Sequence, residues 1–232
     1  MNEEQWPKAY REGRVDFYGR GFLVSPDVLI PRPETEMAVD VVLELAGKAI
    51  LAGVKAPERK LGLHPRILDV GTGSGCIALT LAAELPEAEV VAGDVSEAAL
   101  KVARKNAQQL EVGKRVRFVK SDLLDGVRGE FDVVVANLPY VDRSWEWLKE
   151  PESAGLKYEP ELALYAARGG LAVIFRLIEE IEVRSKGEPF CKWLVLEADP
   201  CQHGEVRSYA ERHGFCYVET RGYQVVFRHL GA

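Results

Sequence analysis

The chain has 232 residues, 47% of them hydrophobic and 28% charged, with a formal net charge of −6. That size suits one full domain with added elements and can bury a core without disulfides or metals. The acidic balance argues against a protein built chiefly to hold nucleic acid, so nucleic acid is not the expected direct substrate.

Further classes are set aside by what the chain lacks. No run of ~18 apolar residues predicts a membrane-spanning helix, and the polar start Met1-Asn2-Glu3-Glu4 predicts no secretory signal. A cytoplasmic protein without a membrane partner is expected. Cys76, Cys191, Cys201 and Cys216 lack the spacing of a zinc or redox motif, so they are read as unliganded thiols, and no metal is expected. Basic clusters at Lys101, Arg104 and Lys105, and at Lys114, Arg115, Arg117 and Lys120, read as solvated surface.

In chain order, residues 1–13 are polar and carry little pattern. Arg14 to Ile30 reads as short extended pieces, with Ser25-Pro26-Asp27 as a turn between two apolar strands. Pro31-Arg32-Pro33 holds off a helix until Glu34. Met37, Val41, Leu45 and Ile50 then recur at helical spacing, which predicts a helix ending near Gly53. Residues 53–65 read as a loop. The division is therefore an N-terminal extended hairpin and helix over 1–65 and a main domain over 66–232.

After Pro65 strands and helices alternate. Ile67 to Val70 is a strand, followed by a glycine loop and a helix with Ile77, Leu79, Leu81 and Leu85 that stops at Pro86. Glu89 to Ala92 is the second strand, and Ser96 caps a helix through Leu100, Ala103 and Ala107. Val116 to Val119 is the third strand. Phe131 to Ala136 is the fourth, apolar along its length as a central parallel strand should be. Gly169 to Arg184 reads as a helix, Trp193 to Glu197 as a fifth strand, and Glu205 to His213 as a helix. Phe215–Glu219 and Gln224–Arg228 are close enough for an antiparallel hairpin. This predicts an α/β, Rossmann-like fold: a mostly parallel sheet, helices on both faces, and a C-terminal antiparallel hairpin. In such sheets the ligand sits outside the carboxyl ends of the strands, where strand order reverses.

The strand ends carry the chemistry. The first runs into Gly71-Thr72-Gly73-Ser74-Gly75. Glycines at alternate positions let the backbone turn tightly and approach a ligand, with the next helix's free N–H groups facing it. The spacing is G-x-G-x-G, not the G-x-G-x-x-G of a dinucleotide fingerprint, which counts against a nicotinamide oxidoreductase. Asp94 ends the second strand, placed to accept both hydroxyls of a ribose; its structural alternative is a helix-capping aspartate. Asp122 follows the third strand, placed to accept from an adenine amine, with Leu123 against the ring. The fourth strand ends in Asn137-Leu138-Pro139-Tyr140. An uncharged amide there offers an acceptor and a donor, but no acid or base. With a backbone carbonyl and the Tyr140 ring, it suits a planar –NH2 group whose nitrogen is to be aimed at an electrophile.

These motifs resemble the peptide chain release factor glutamine methyltransferases. The resemblance rests on Phe22-Leu23-Val24, on Leu29-Ile30-Pro31-Arg32-Pro33-Glu34-Thr35-Glu36, and on the glycine loop with Cys76-Ile77-Ala78-Leu79. It continues through Asp94-Val95-Ser96, the Asn137 motif with Val141, and Glu159-Pro160 leading to Ala163-Leu164, spanning roughly residues 17–230. It implies a class I methyltransferase fold with S-adenosyl-L-methionine as cofactor. It further implies that the protein methylates the glutamine amide in the Gly-Gly-Gln loop of a release factor, its protein partner. By the same resemblance Gly71, Thr72, Gly73, Ser74 and Gly75 would hold the methionine part, and Asp94 and Val95 the ribose side. Asn137, Leu138, Pro139 and Tyr140 would hold the glutamine, and Arg32, Pro33, Glu34 and Thr35 would help close the cofactor site.

The chain departs from the family pattern in two places. The usual motif is Asn-Pro-Pro-Tyr, and Leu138 replaces its first proline, which frees φ and adds an N–H. The family also carries an N-terminal helical domain, expected here to be largely absent. Asn-Leu-Pro-Tyr is also similar to the motif of ribosomal RNA adenine dimethyltransferases. An adenine-amine methyltransferase acting on RNA or DNA and a non-catalytic cofactor-binding module therefore stand as alternatives.

Overall fold

The computed structural model describes residues 5–48, 58 and 60–232. It opens with a one-turn helix, α1 (Lys8–Glu12), and an antiparallel hairpin of β1 (Arg14–Phe17) and β2 (Arg20–Leu23). The hairpin turns at Tyr18 (φ 51°) and Gly19 (φ 68°), two consecutive positive-φ residues that match the right-handed twist of a tight hairpin. This corrects the expectation of a hairpin turning at Ser25-Pro26-Asp27. That segment does turn, with the Val28 N–H donating to the Ser25 carbonyl at 3.0 Å, but it leads into unpaired extended backbone. A tyrosine at positive φ carries no turn signal. It is held there by its N–H donating to Glu36 (2.6 Å) and its hydroxyl donating to Asp40 (2.8 Å).

A 3-10 turn over Pro33–Thr35 leads into α2 (Glu36–Leu45), slightly later than expected. The helix ends at Leu45, not near Gly53. Gly47 takes φ 77°, and the N–H groups of Gly47 and Lys48 bond back to Glu44 and Leu43, closing the end as a left-handed cap does. Ile50, Gly53 and most of the expected 53–65 loop lie outside the described residues.

The sheet then builds from β3 (Arg66–Val70), β4 (Glu89–Asp94), β5 (Val116–Lys120), β6 (Phe131–Ala136), β7 (Cys191–Glu197), β8 (Phe215–Arg221) and β9 (Gln224–His229). Its order is β5-β4-β3-β6-β7-β9-β8, parallel as far as β7, with β9 and β8 antiparallel at the edge. Between the strands run α3 (Cys76–Glu84), α4 (Glu97–Gln109), α5 (Glu161–Leu164), α6 (Ala172–Arg184) and α7 (His203–Arg212). The fold class is the one expected.

Strand periodicity separates two cores. Ile67, Val133, Val135 and Val195 face one side, packed with α2 and α3 and with Phe17 and Phe22 of the hairpin. Leu68, Val70, Val134, Leu194 and Leu196 face the other, against α6 and α7. Full burial of each such side chain contributes ~1.5–3 kcal/mol, so both sheet faces are firmly specified.

α4 begins where expected, its Ser96 side chain accepting from the Ala99 N–H at 3.2 Å. α6 begins later than Gly169, because Gly169 (φ 64°) and Gly170 (φ 85°) still belong to the preceding turn. Gly170 lies so close to the Tyr140 carbonyl that a Cβ there would sit 1.9 Å from that oxygen. α7 begins earlier than Glu205, after a 3-10 turn that Asp199 and Gln202 cap reciprocally. Residues 146–158 form two 3-10 segments that no periodicity had marked. Among the described residues no helix is long and apolar enough to cross a membrane, and no group of three His, Cys, Asp or Glu side chains gathers as metal ligands.

Candidate active site

Strand order reverses between β3 and β6, the central neighbours, so the loops leaving their carboxyl ends face one another. Register sharpens the point. Val70 pairs with Ala136, and Ala136 with Leu196. One residue further on, Gly71, Asn137 and Glu197 therefore form a single row along the sheet's carboxyl edge.

The three loop glycines have different tasks. All take positive φ: Gly71 74°, Gly73 55°, Gly75 84°. A Cβ on Gly71 would stand 2.9 Å from Leu138 Cδ2, so this glycine lets the two loops close on each other. A Cβ on Gly75 would meet Leu79 and Ala103, so it lets α3 pack against α4. Only Gly73 borders open space, its nearest neighbour 4.0 Å away. The loop is pinned to the second strand by the Gly71 and Thr72 N–H groups, both donating to the Gly93 carbonyl at 2.9 Å.

Two aspartates set the loop's electrostatics. Asp94 accepts from the Gly73 N–H and the Ser96 N–H, both at 2.8 Å. Burial raises its carboxyl, opposed by those backbone donors. Asp69 is 1% exposed. Its Oδ2 accepts from the Thr72 hydroxyl (2.6 Å) and the Ala78 N–H (3.2 Å), while its Oδ1 is buried without a donor. Burial pushes it up to about 7, with Thr72 and Ala78 pulling back.

A cavity of ≈ 300 Å³ opens over this loop, within the range of small-molecule sites. Gly71 to Ser74, Asp94, Val95, Asp122, Leu123, Thr35 and Asn137 to Pro139 line it. Asp122 also pairs with Arg176 at 3.1 Å, a solvated pair of little energetic weight. A second cavity of ≈ 640 Å³ lies on the other side of the Asn137 turn, walled by Arg32, Glu34, Tyr140, Trp145 and Trp147 among others. Leu29, Asn137, Leu138 and Ala163 belong to both walls.

The expected set is thus divided. Of the Arg32–Thr35 run only Thr35 lines the first cavity; Arg32 and Glu34 face the second, and Pro33 lines neither. The reason is an ion pair. Arg32 donates to Glu159 at 2.5 Å, and the other oxygen of Glu159, a buried residue, accepts from the Ile30 N–H at 3.0 Å. Gly75 lies behind the loop, and Tyr140 faces the second cavity. Sequence reasoning missed several lining residues: Val28, Leu29 and Pro31 on the N-terminal run, Leu162 and Ala163 on α5, and Ser121, whose buried hydroxyl has no partner. The Ile-Pro-Arg-Pro run and Glu159-Pro160 were visible, but nothing local showed that they meet.

Glu197 was also missed as a site residue. It is 1% exposed at the end of β7 and accepts from the Tyr140 hydroxyl (3.2 Å) and the Gln224 amide (2.9 Å). The Thr35 hydroxyl donates to it as well. Burial raises its carboxyl and these three donors oppose the rise. Thr35 in turn accepts from Asn137 Nδ2 at 3.0 Å. Among the described residues nothing donates to Asn137 Oδ1 or to the Leu138 carbonyl. The Tyr140 carbonyl, by contrast, is taken by Gln202 at 2.8 Å.

An open sheet in this order, with two binding spaces meeting at the end of its fourth strand, is the methyltransferase architecture. Residues 46–147 match the family model described as "Methyltransferase small domain". The fold is shared with the ribosomal protein L11 methylase of Lactobacillus delbrueckii subsp. bulgaricus at TM-score 0.54 and 19% identity, covering 88% of this chain and 81% of that one. The release factor glutamine methyltransferase of Chlorobaculum tepidum is 46% identical over 70% of this chain, and that of Neisseria gonorrhoeae 38% identical over 92%. The chain belongs to the release factor glutamine methyltransferase family. It spans 54% of the Chlorobaculum protein's length and 71% of the Neisseria protein's.

Proposed function

We propose that this protein uses S-adenosylmethionine to methylate the side-chain amide nitrogen of a glutamine, the one in the Gly-Gly-Gln loop of a peptide chain release factor. One observation carries the reading: Asn137 and Leu138 belong to the walls of both cavities, so a group in one meets a group in the other at that turn. The first cavity fits the cofactor. Its floor is a glycine backbone, Asp94 retains lone pairs for ribose hydroxyls, and the hydroxyl of Ser121 is buried there without a partner. When bound, S-adenosylmethionine supplies a methyl group already activated on a sulfonium.

The chain's own residues then have to hold an amide. An amide nitrogen is a poor nucleophile because its lone pair is delocalised into the carbonyl. Asn137 Oδ1 and the Leu138 carbonyl, both free of donors, accept its two hydrogens, fix its orientation and raise its electron density. Orientation of this kind supplies up to ~7–11 kcal/mol in favourable cases. Tyr140 walls the second cavity, and Arg32 anchored on Glu159 holds the run that borders both. Leu138 serves where the family has proline because the group required is its carbonyl, while its side chain packs on Gly71.

Wall charge favours a protein acceptor over an adenine base. Glu34, Glu150, Glu197 and Asp199 face the second cavity, and Arg32 there is already paired with Glu159. A phosphate backbone entering such a space would be repelled, whereas nucleic-acid sites need cations to neutralise phosphates. The test is incubation with S-adenosylmethionine and a release factor, followed by mass spectrometry. One methyl group on the Gly-Gly-Gln glutamine is expected, lost when that glutamine becomes glutamate. Labelling of RNA with none on release factor would overturn the reading.

A further inference from the structure

An asparagine amide fills the same space in either of two orientations, but only one turns its oxygen to the acceptor. Something must choose between them, and Asn137 cannot do so by shape. We infer that Glu197, which does not touch the acceptor, is the positioning residue that makes the choice, acting through the hydroxyl of Thr35. The inference rests on the proposed role of Asn137 toward an amide.

The argument follows the hydrogens. An ionised carboxylate only accepts. Glu197 takes hydrogens from Tyr140, Gln224 and Thr35. A threonine hydroxyl owns one hydrogen, and once that is given to Glu197 its oxygen can only accept. The neighbour 3.0 Å away is Asn137 Nδ2, so the NH2 end of the amide is drawn to Thr35 and Oδ1 is left facing the turn where both cavities meet. The flipped amide would set Oδ1 against the lone pairs of Thr35 and present donors to an acceptor that is itself an amide NH2. Thr35 and Glu197 are both buried, at 2% and 1% exposure, so water does not compete for these bonds. Glu197 reaches its place through two ladders: Leu196 beside Ala136, and Glu197 opposite Gln224.

The test compares Glu197→Gln, Thr35→Val, Thr35→Ser and the double variant Glu197→Gln with Thr35→Val. The amide introduced at 197 can donate to Thr35, which frees the threonine hydrogen for Asn137 and releases the choice of orientation. With release factor as acceptor and saturating S-adenosylmethionine, Glu197→Gln and Thr35→Val should each lose ~10–100-fold in kcat, as supporting partners of functional groups do, with KM for the acceptor little changed. Thr35→Ser should retain most of kcat. The double variant should fall no further than the worse single, because both act through one bond. Parental kcat in Glu197→Gln, or a double loss equal to the product of the singles, would overturn the inference. Should Glu197→Gln fail to fold, the threonine pair decides: equal kcat for the serine and valine variants overturns it.

Orientation is also read without turnover. The 15N side-chain amide pair of Asn137, assigned by its loss in Asn137→Asp, should show one hydrogen-bonded proton in the parent and neither in Glu197→Gln or Thr35→Val. A parent that leaves release factor unmethylated fails the functional reading alone, and this spectrum still decides the inference. A pair unmoved by Glu197→Gln refutes it.

Discussion

Replacing Asp69 by asparagine should make the protein more stable at neutral and alkaline pH, and by an amount that depends on pH in a fixed direction. Asp69 is buried, its Oδ1 has no donor, and burial pushes its carboxyl from 3.8 to about 7. At 1.36 kcal/mol per unit, that rise corresponds to ~4 kcal/mol. The folded pKa lies above the unfolded one, so the associated stability is complete below about pH 4. It drains away as pH rises toward about pH 7, because the unfolded chain releases the proton first. Asparagine has the same shape. Its oxygen can accept from Thr72 and Ala78 as Oδ2 does, its NH2 replaces the protonated oxygen, and it does not titrate. The difference in unfolding free energy, variant minus parent, should be small near pH 4 and reach ~4 kcal/mol near pH 8. For a chain of this size that is ~8–16 °C in Tm. Urea denaturation of both proteins without cofactor, across that range, measures it. Taking the difference cancels Asp94 and Glu197, whose raised carboxyls act in the same direction, and Glu84, whose ion pairs with Lys48 and Arg20 hold it low and act oppositely. A difference that stays flat with pH, or that shrinks as pH rises, would refute the reasoning.

Three further outcomes are expected. Asp94→Ala should weaken S-adenosylmethionine binding ~10–100-fold by calorimetry, the loss of a charge-assisted bond, and unchanged affinity would remove Asp94 from the site. Asn137→Ala should bind the cofactor nearly as the parent does and lose ~10²–10³ in turnover, and a large loss of cofactor affinity would make Asn137 a cofactor ligand instead. Gly71→Ala and Gly73→Ala both place a side chain at positive φ, at ~1–2 kcal/mol each, but only the first also meets Leu138 at 2.9 Å. Gly71→Ala should therefore be the less stable in urea, and equal midpoints would show that Leu138 yields freely.

What the sequence disclosed and what it concealed divide along one physical line, which is whether the signal is local. Val133-Val134-Val135-Ala136 reads as a buried strand by itself, and Gly71 to Gly75 reads as a ligand loop by itself. The turn at Tyr18 was concealed because its positive φ is held by Glu36 and Asp40 on α2, not by a residue type that favours it. Arg32 was visible in its motif, yet its side chain faces the second cavity because Glu159, far along the chain, pulls it there. Glu197 is the clearest case. A glutamate closing an apolar strand looks like the place where the strand meets water, and nothing beside it suggests otherwise. Only pairing makes it otherwise: Val70 with Ala136, and Ala136 with Leu196, so that the next residue on each strand falls into one row. In that row Gly71 gives backbone, Asn137 an amide and Glu197 a carboxylate, and each is uninformative without the others. Chemistry that depends on a row across strands is legible only once the register is known, and a one-residue slip of β7 would turn Glu197 to the opposite face and leave Thr35 free to donate to the amide it now orients.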